Sequence, residues 1–229
     1  MKKIQQKLAR LFKGSKSPRT KSLRKSKGQS LVEFAIAFPI VIMLFAGVVE
    51  FGFILNYYLS LLDATREAAR FYSNQDPFAA DPNTARNASD WFYADSAAMV
   101  KDALEPRSAN DTTRKIILDS ARDDVIITVY SMCGTKVVSF PSGGYHMYNN
   151  AASVFTATSM QTSRVSGAPN QGILLVEVNY NYHQVLALPW ITAFLSNPLP
   201  LRAYSIMPIA AAEPPLPRSP LTSPVMTCP

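Results

Sequence analysis

The chain has 229 residues, 23 of them Lys or Arg and 16 Asp or Glu, for a net charge of +7. Eleven of the bases and none of the acids fall in residues 1–27, so the other 12 bases face 16 acids and the rest of the chain carries a net −4. The pI of 9.4 thus describes a leader, and the composition argues against reading the whole protein as a nucleic-acid binder.

The leader is too poor in apolar residues to fold alone. Ile4, Leu8, Leu11 and Phe12 are spaced for a short amphipathic helix on the inner leaflet. A basic block directly before an apolar run is a topology signal. Positive flanks stay in the cytoplasm, so the chain after the run is expected outside.

The apolar run covers residues 31–62, and no charge occurs between Phe34 and Val49. Crossing ~30 Å of hydrocarbon takes ~20 helical residues. The span is therefore expected from Leu31 to Phe53, with Glu33 near its inner boundary and Glu50 near its outer one. Pro39 lies inside it, which membrane helices tolerate when neighbours repair the ladder. Asn56, Tyr57 and Tyr58 suit the outer interface. Beyond it, Leu61, Ala64, Ala68 and Phe71 keep helical spacing. Asp63 with Arg66 and Glu67 with Arg70 form i,i+3 pairs on wetter sides. The helix is predicted to stop near Ser73-Asn74, a rod of about forty residues and ~60 Å.

A second helix is predicted over 83–104, capped by Asn83 and closed by Pro106. The period then changes to two. Strands are predicted at 115–119, 124–132, 135–140 and 173–183, with one more at 200–210. Cys133-Gly134 supplies a turn. In 173–183, Leu174, Val176, Val178, Tyr180 and Tyr182 occupy one face, and Leu175, Glu177, Asn179, Asn181 and His183 the other, as in a half-buried antiparallel strand. Residues 141–172 read as a long polar excursion and 187–199 as an apolar connection. Six prolines in Glu213–Pro229 exclude further sheet there, leaving a disordered tail.

The expected fold is α+β: a long N-terminal transmembrane helix running into an extracytoplasmic domain with a second helix and an antiparallel sheet. The divisions are a basic leader (1–28), the helix and its extension (29–73), the domain (74–212) and the tail (213–229).

Chemistry-bearing patterns are sparse. His146 and His183 are the only histidines, and no His/Cys spacing makes a metal site. No G-x-S-x-G, H-E-x-x-H or phosphate-loop pattern occurs. An enzyme is the least favoured class, and no cofactor or metal is expected. Asp123-Asp124 reads as a turn rather than a calcium site. Asn87 and Asn110 match the glycosylation acceptor pattern, a frequent chance match. Cys133 and Cys228 both follow the apolar run. A disulfide between them is permitted outside the cytoplasm and would contribute ~4.7 kcal/mol by loop-closure entropy. Two free thiols are the other reading.

Lys27-Gly28-Gln29-Ser30-Leu31-Val32-Glu33-Phe34 resembles the processing site of type IV prepilins. The resemblance implies a membrane-embedded peptidase that cuts after Gly28, making Gln29 the mature N-terminus, and an assembly role for Glu33. A carboxylate inside a membrane segment is costly, so one that meets a neighbour's free ammonium rewards docking in register. Val32-Glu33-Phe34-Ala35, Pro39, Glu50-Phe51-Gly52 and Ala64-Thr65-Arg66-Glu67-Ala68-Ala69-Arg70 further resemble the N-terminal pattern of TadE-like proteins, minor pilins or pseudopilins of tight-adherence (Flp) pili. That family implies one membrane helix, a small α+β domain outside, and a role in pilus assembly. The implied partners are membrane lipid, a prepilin peptidase, other pilins and the assembly platform. Glu50 is grouped with Glu33 as an assembly residue, facing a basic group of a partner helix or interfacial water. The rival reading is a single-pass anchored binding or adhesion protein that is never cleaved. A secreted protein with an ordinary signal peptide fits poorly, because Ala35-Ile36-Ala37 comes too early in the run.

Overall fold

The computed structural model describes residues 28–78, 88–108, 110–111, 116–133, 136–160 and 172–209. The leader with its amphipathic spacing, the Asn83 cap, Asn87, Gly134 of the turn, Cys228 and the tail lie outside the described residues.

Helix α1 runs Gln29–Tyr72 and contains Pro39. It is the one described helix long and apolar enough to cross a membrane. Residues 1–44 and 45–229 form separate compact units. In the first, every described residue from Gly28 to Leu44 is exposed. In the second, a buried stripe begins at Ala46 and continues through Glu50, Leu61, Ala64, Ala68 and Tyr72. Ile54 and Tyr57 are half-buried at the intervening turns, so spacings of three and four hold from 46 to 72. Tyr72 takes the place at the stripe's end that the spacing gave to Phe71, whose side chain is exposed. Tyr72 instead packs edge-on against Phe92 at 5.5 Å.

Helix α2 spans Ala88–Leu104. Strands β1 (Asp124–Cys133), β2 (Lys136–His146), β3 (Gly172–Tyr182) and β4 (Leu199–Ile209) form one sheet in the order β2-β1-β3-β4. Every pairing is antiparallel. Short helices α3 (Ala157–Met160) and α4 (Pro189–Thr192) interrupt the connections on either side of β3. The fold is α+β, as the sequence predicts.

The main core joins Leu61, Ala64 and Ala68 of α1, Phe92, Tyr93, Ala97 and Val100 of α2, and one sheet face carrying Val125, Ile127, Val129, Leu174, Val176 and Val178. The other face is also covered, which corrects the half-buried reading of β3. Gly172 to Asn179 are buried without interruption. Phe155, Ala157 and Met160 of the supposed excursion pack on Tyr130, Val137, Ile173 and Leu175. Alternation in a strand reports which side chains share a face, not whether a distant segment covers it.

Residues 116–119 are not a strand. Ile116 and Leu118 are buried and Ile117 is exposed, so the period of two is real. The segment pairs with none of the four strands, and β1, the strand next to it in sequence, has β2 and β3 on its two sides. β2 in turn runs six residues past its predicted end by way of an irregularity opposite Ile127–Val129. Gly144, at φ 90°, makes this possible. A Cβ there would stand 2.5 Å from Thr128 Oγ1.

Candidate functional site

Glu50 lies on the core-facing stripe of α1, where a carboxylate is costly unless it finds donors. It is 1% exposed. Its Oε1 accepts the Tyr182 hydroxyl at 2.7 Å and the Val185 N–H at 3.0 Å. Its Oε2 accepts the Leu186 N–H at 2.9 Å. Charge-assisted bonds of this length are about twice as strong as neutral ones. One acid of the helix therefore fixes the end of β3 and the first residues of the β3–β4 connection.

The sequence arranges the donors locally. Tyr182 is the last residue of β3, and its ring is held edge-on by Tyr57 of α1 at 5.0 Å. Burial first, and then the bond to Glu50, push the Tyr182 phenol well above the usual tyrosine range, so it remains a donor. Just after the two donating amides, Ala187 turns the chain at φ 43°. Gln184 closes the connection on itself. Its Nε2 donates to the Leu195 and Ser196 carbonyls, and its N–H reaches Asn197 Oδ1.

The residues of the expected processing site stand at the start of α1. Gly28 is exposed in a turn, and the helix begins at Gln29. The Val32 N–H donates to the Gly28 carbonyl at 3.2 Å. Gln29 Nε2 donates to Glu33 Oε1 at 3.1 Å, one turn away on the exposed surface. Glu33 and Glu50 are thus not brought together, and their circumstances differ.

Asp123 and Asp124 are both buried and serve as staples within the fold. Asp124 accepts the N–H groups of Tyr148, Asn150 and Ala151 and lies 2.8 Å from His146 Nδ1. Asp123 accepts from the Asp119 and Asn181 amides, both at 2.8 Å. Glu177 accepts the Ser153 hydroxyl and the Val154 N–H, and burial pushes its carboxyl up. These acids tie the covering segment to the sheet. His183 is exposed just beyond β3, and Cys133 ends β1. The Cys133–Cys228 pairing lies outside the described residues. Among those residues no cluster of three His, Cys, Asp or Glu side chains could hold a metal ion.

The partners of Glu50 are what sequence reasoning missed. Extending the 61-64-68 spacing backwards through 57, 54, 50 and 46 would have put Glu50 on the buried face. No local signal could have named Tyr182, Val185 or Leu186.

The family model for TadE-like protein matches residues 28–70, a stretch that begins at Gly28 and ends two residues before α1 does. Over this N-terminal helix the chain is similar to TadE-like proteins. No curated protein and no solved structure matches the chain.

Proposed function

We propose that this chain, TadE-like over its N-terminal helix, is a minor pilin. In this reading a prepilin peptidase cuts it between Gly28 and Gln29. The mature helix then leaves the membrane to pack among other pilins at the assembly platform. The observation that carries the reading is the family match over residues 28–70. It is supported by the unbroken exposure of the apolar helix from Gln29 to Phe45. Such a surface suits lipid while the protein is anchored and pilin helices once it is extracted. Glycine at 28 lets the backbone enter a protease site extended, without a Cβ in the way. Glu33 offsets the free ammonium of a neighbouring subunit's Gln29, which sets the stagger between helices.

Orientation follows from charge. Eleven bases precede the span, and 12 bases against 14 acids, a net −2, follow it, so the leader is cytoplasmic and the domain lies outside the cytoplasmic membrane. Protease added to spheroplasts should cut the domain around residue 150 and spare the leader.

The deciding measurement is the intact mass and N-terminal sequence of the membrane-extracted protein. A chain starting at Gln29, or at its cyclised or methylated form, is the expected result, and Gly28→Leu should prevent it. Recovery of the Met1 terminus from cells with an active prepilin peptidase would leave the anchored binding protein as the better reading. For the assembly step, Glu33→Gln keeps size and hydrogen bonding while deleting charge. Normal pilus formation by that variant would rule out charge pairing.

A further inference from the structure

No charged residue occurs from Gln184 to Leu201. Within this stretch Ile191 is buried, but Val185 is 52% exposed, Phe194 is 86% exposed and Leu195 is also exposed. Single exposed apolar side chains are ordinary on a protein surface, so exposure alone decides nothing. The place where the connection is fastened does. Val185 and Leu186 donate their amides to Glu50. Glu50 is the acid that the length of the apolar run puts at the outer end of the span, where about twenty residues have crossed the hydrocarbon. On α1 itself Phe45, Val48 and Phe51, close to Glu50 in sequence, are exposed as well. The connection is thus apolar, free of charge and pinned at the level where the helix leaves the bilayer. It also carries Trp190, a half-buried reporter within the segment.

We propose that residues 185–195 are a second membrane contact, resting in the head-group and upper acyl region of the bilayer beside the helix. The occupant of this surface is lipid. Its fastening to Glu50 at the outer end of the apolar run and its lack of charge both favour a bilayer over water. The proposal needs α1 to span the membrane but does not need processing or assembly.

The chain contains two tryptophans, which makes the test direct. The full-length protein is reconstituted into phosphatidylcholine vesicles containing lipid brominated near the head of the acyl chain. Trp91→Phe leaves Trp190 as the reporter, and loss of its emission to bromine is expected. Trp190→Phe leaves Trp91 on α2, whose emission should be unaffected. Should Trp91→Phe fail to fold, the difference between the unmodified protein and Trp190→Phe gives the same answer. Phe38→Trp, made on Trp190→Phe, reports the span itself through deeply brominated lipid. Quenching at residue 38 without quenching of Trp190 overturns the proposal and leaves the span standing. Quenching at neither position overturns both. Trp190 that is indifferent to bromine, yet blue-shifts when partner pilins are co-reconstituted, marks the surface as protein-binding and also overturns the proposal.

Discussion

Glu33 and Glu50 stand seventeen residues apart on one helix, both within the run that the sequence reads as membrane-spanning. Glu33 is exposed and is met by Gln29 one turn away. Glu50 is buried and accepts from Tyr182, Val185 and Leu186. The region around Glu33 has no tertiary core to serve, since every described residue up to Leu44 is exposed. The region around Glu50 carries the seam between helix and domain. The same residue type thus works within the fold of the domain in one case and stands on an exposed helix surface in the other. A carboxylate whose donors come from its own chain contributes to stability. One that faces outward, met only within its own helix turn, does nothing to hold the domain together.

The strongest way to break this contrast is Glu50→Ala. Three donors lose their acceptor, and each buried loss costs ~1–3 kcal/mol. Some solvent reaches the connection, so we expect a destabilisation of about 3 kcal/mol, read by denaturant unfolding of the detergent-solubilised chain. A loss below about 0.5 kcal/mol, the range of ordinary surface changes, would mean that the clasp is not structural.

Tyr182→Phe is the milder cut. It removes one donor and leaves the carboxylate its two backbone amides, for an expected loss of ~1–2 kcal/mol. Combined with Glu50→Ala it should add little beyond the single change, because partners in one network are not additive. Full additivity would show that the tyrosine stabilises the fold by packing alone.

Alkaline pH separates the two regions by another route. Burial first, with Glu177 adding, pushes Tyr130 up to about 12 from 10.0. Burial, then Tyr57 and Asp123, does the same for Tyr180. Between those values the unfolded chain releases phenolic protons that the folded chain keeps, so stability falls as pH rises from 10 towards 12. Near-UV dichroism of the domain should collapse in that window. Far-UV signal from the tyrosine-free stretch 29–44 should persist. Coincident loss of both would tie the free helix to the domain's stability.

The smallest expected effect on stability belongs to Glu33→Ala. Its change in unfolding free energy should stay within ~0.5 kcal/mol, as for surface substitutions away from special contacts, while crosslinking to partner pilins declines. A destabilisation comparable to that of Glu50→Ala would erase the distinction between the two acids.

Much of this architecture is legible in the sequence because it is written in short periods. Runs of three and four residues mark α1 through Leu61, Ala64 and Ala68. Alternation marks β1 and β3, and a proline-rich stretch bounds the β3–β4 connection. What escaped is set by residues far apart. Ile116 and Leu118 alternate correctly but are buried in the core without strand pairing, and the neighbouring β1 already has β2 and β3 on its two sides. The polar face of β3 is buried because Ser153, Val154 and Phe155 fold over it. Gly144 permits the extension of β2 through a contact with Thr128 that no local pattern encodes. At the candidate site, Gly28, Gln29, Glu33 and Glu50 can all be picked out from sequence, but the donors to Glu50 cannot.

The clasp also has a consequence for biogenesis. Tyr182 lies 132 residues downstream of Glu50, and the two donating amides lie 135 and 136 downstream. β3, which ends on Tyr182 and leads into the two amides, is itself completed by β4, paired with it from Gly172↔Ile209 to Tyr182↔Leu199. A growing chain therefore exposes the acid long before any of its donors has been made. Contacts of such sequence separation carry a loop-closure cost that slows folding. The anchor comes first, and its carboxylate meets its donors only once the chain beyond β3 has been made. A nascent chain arrested before residue 182 carries an uncompensated acid at the end of its apolar helix, a mark by which quality control could tell an unfinished subunit from a finished one.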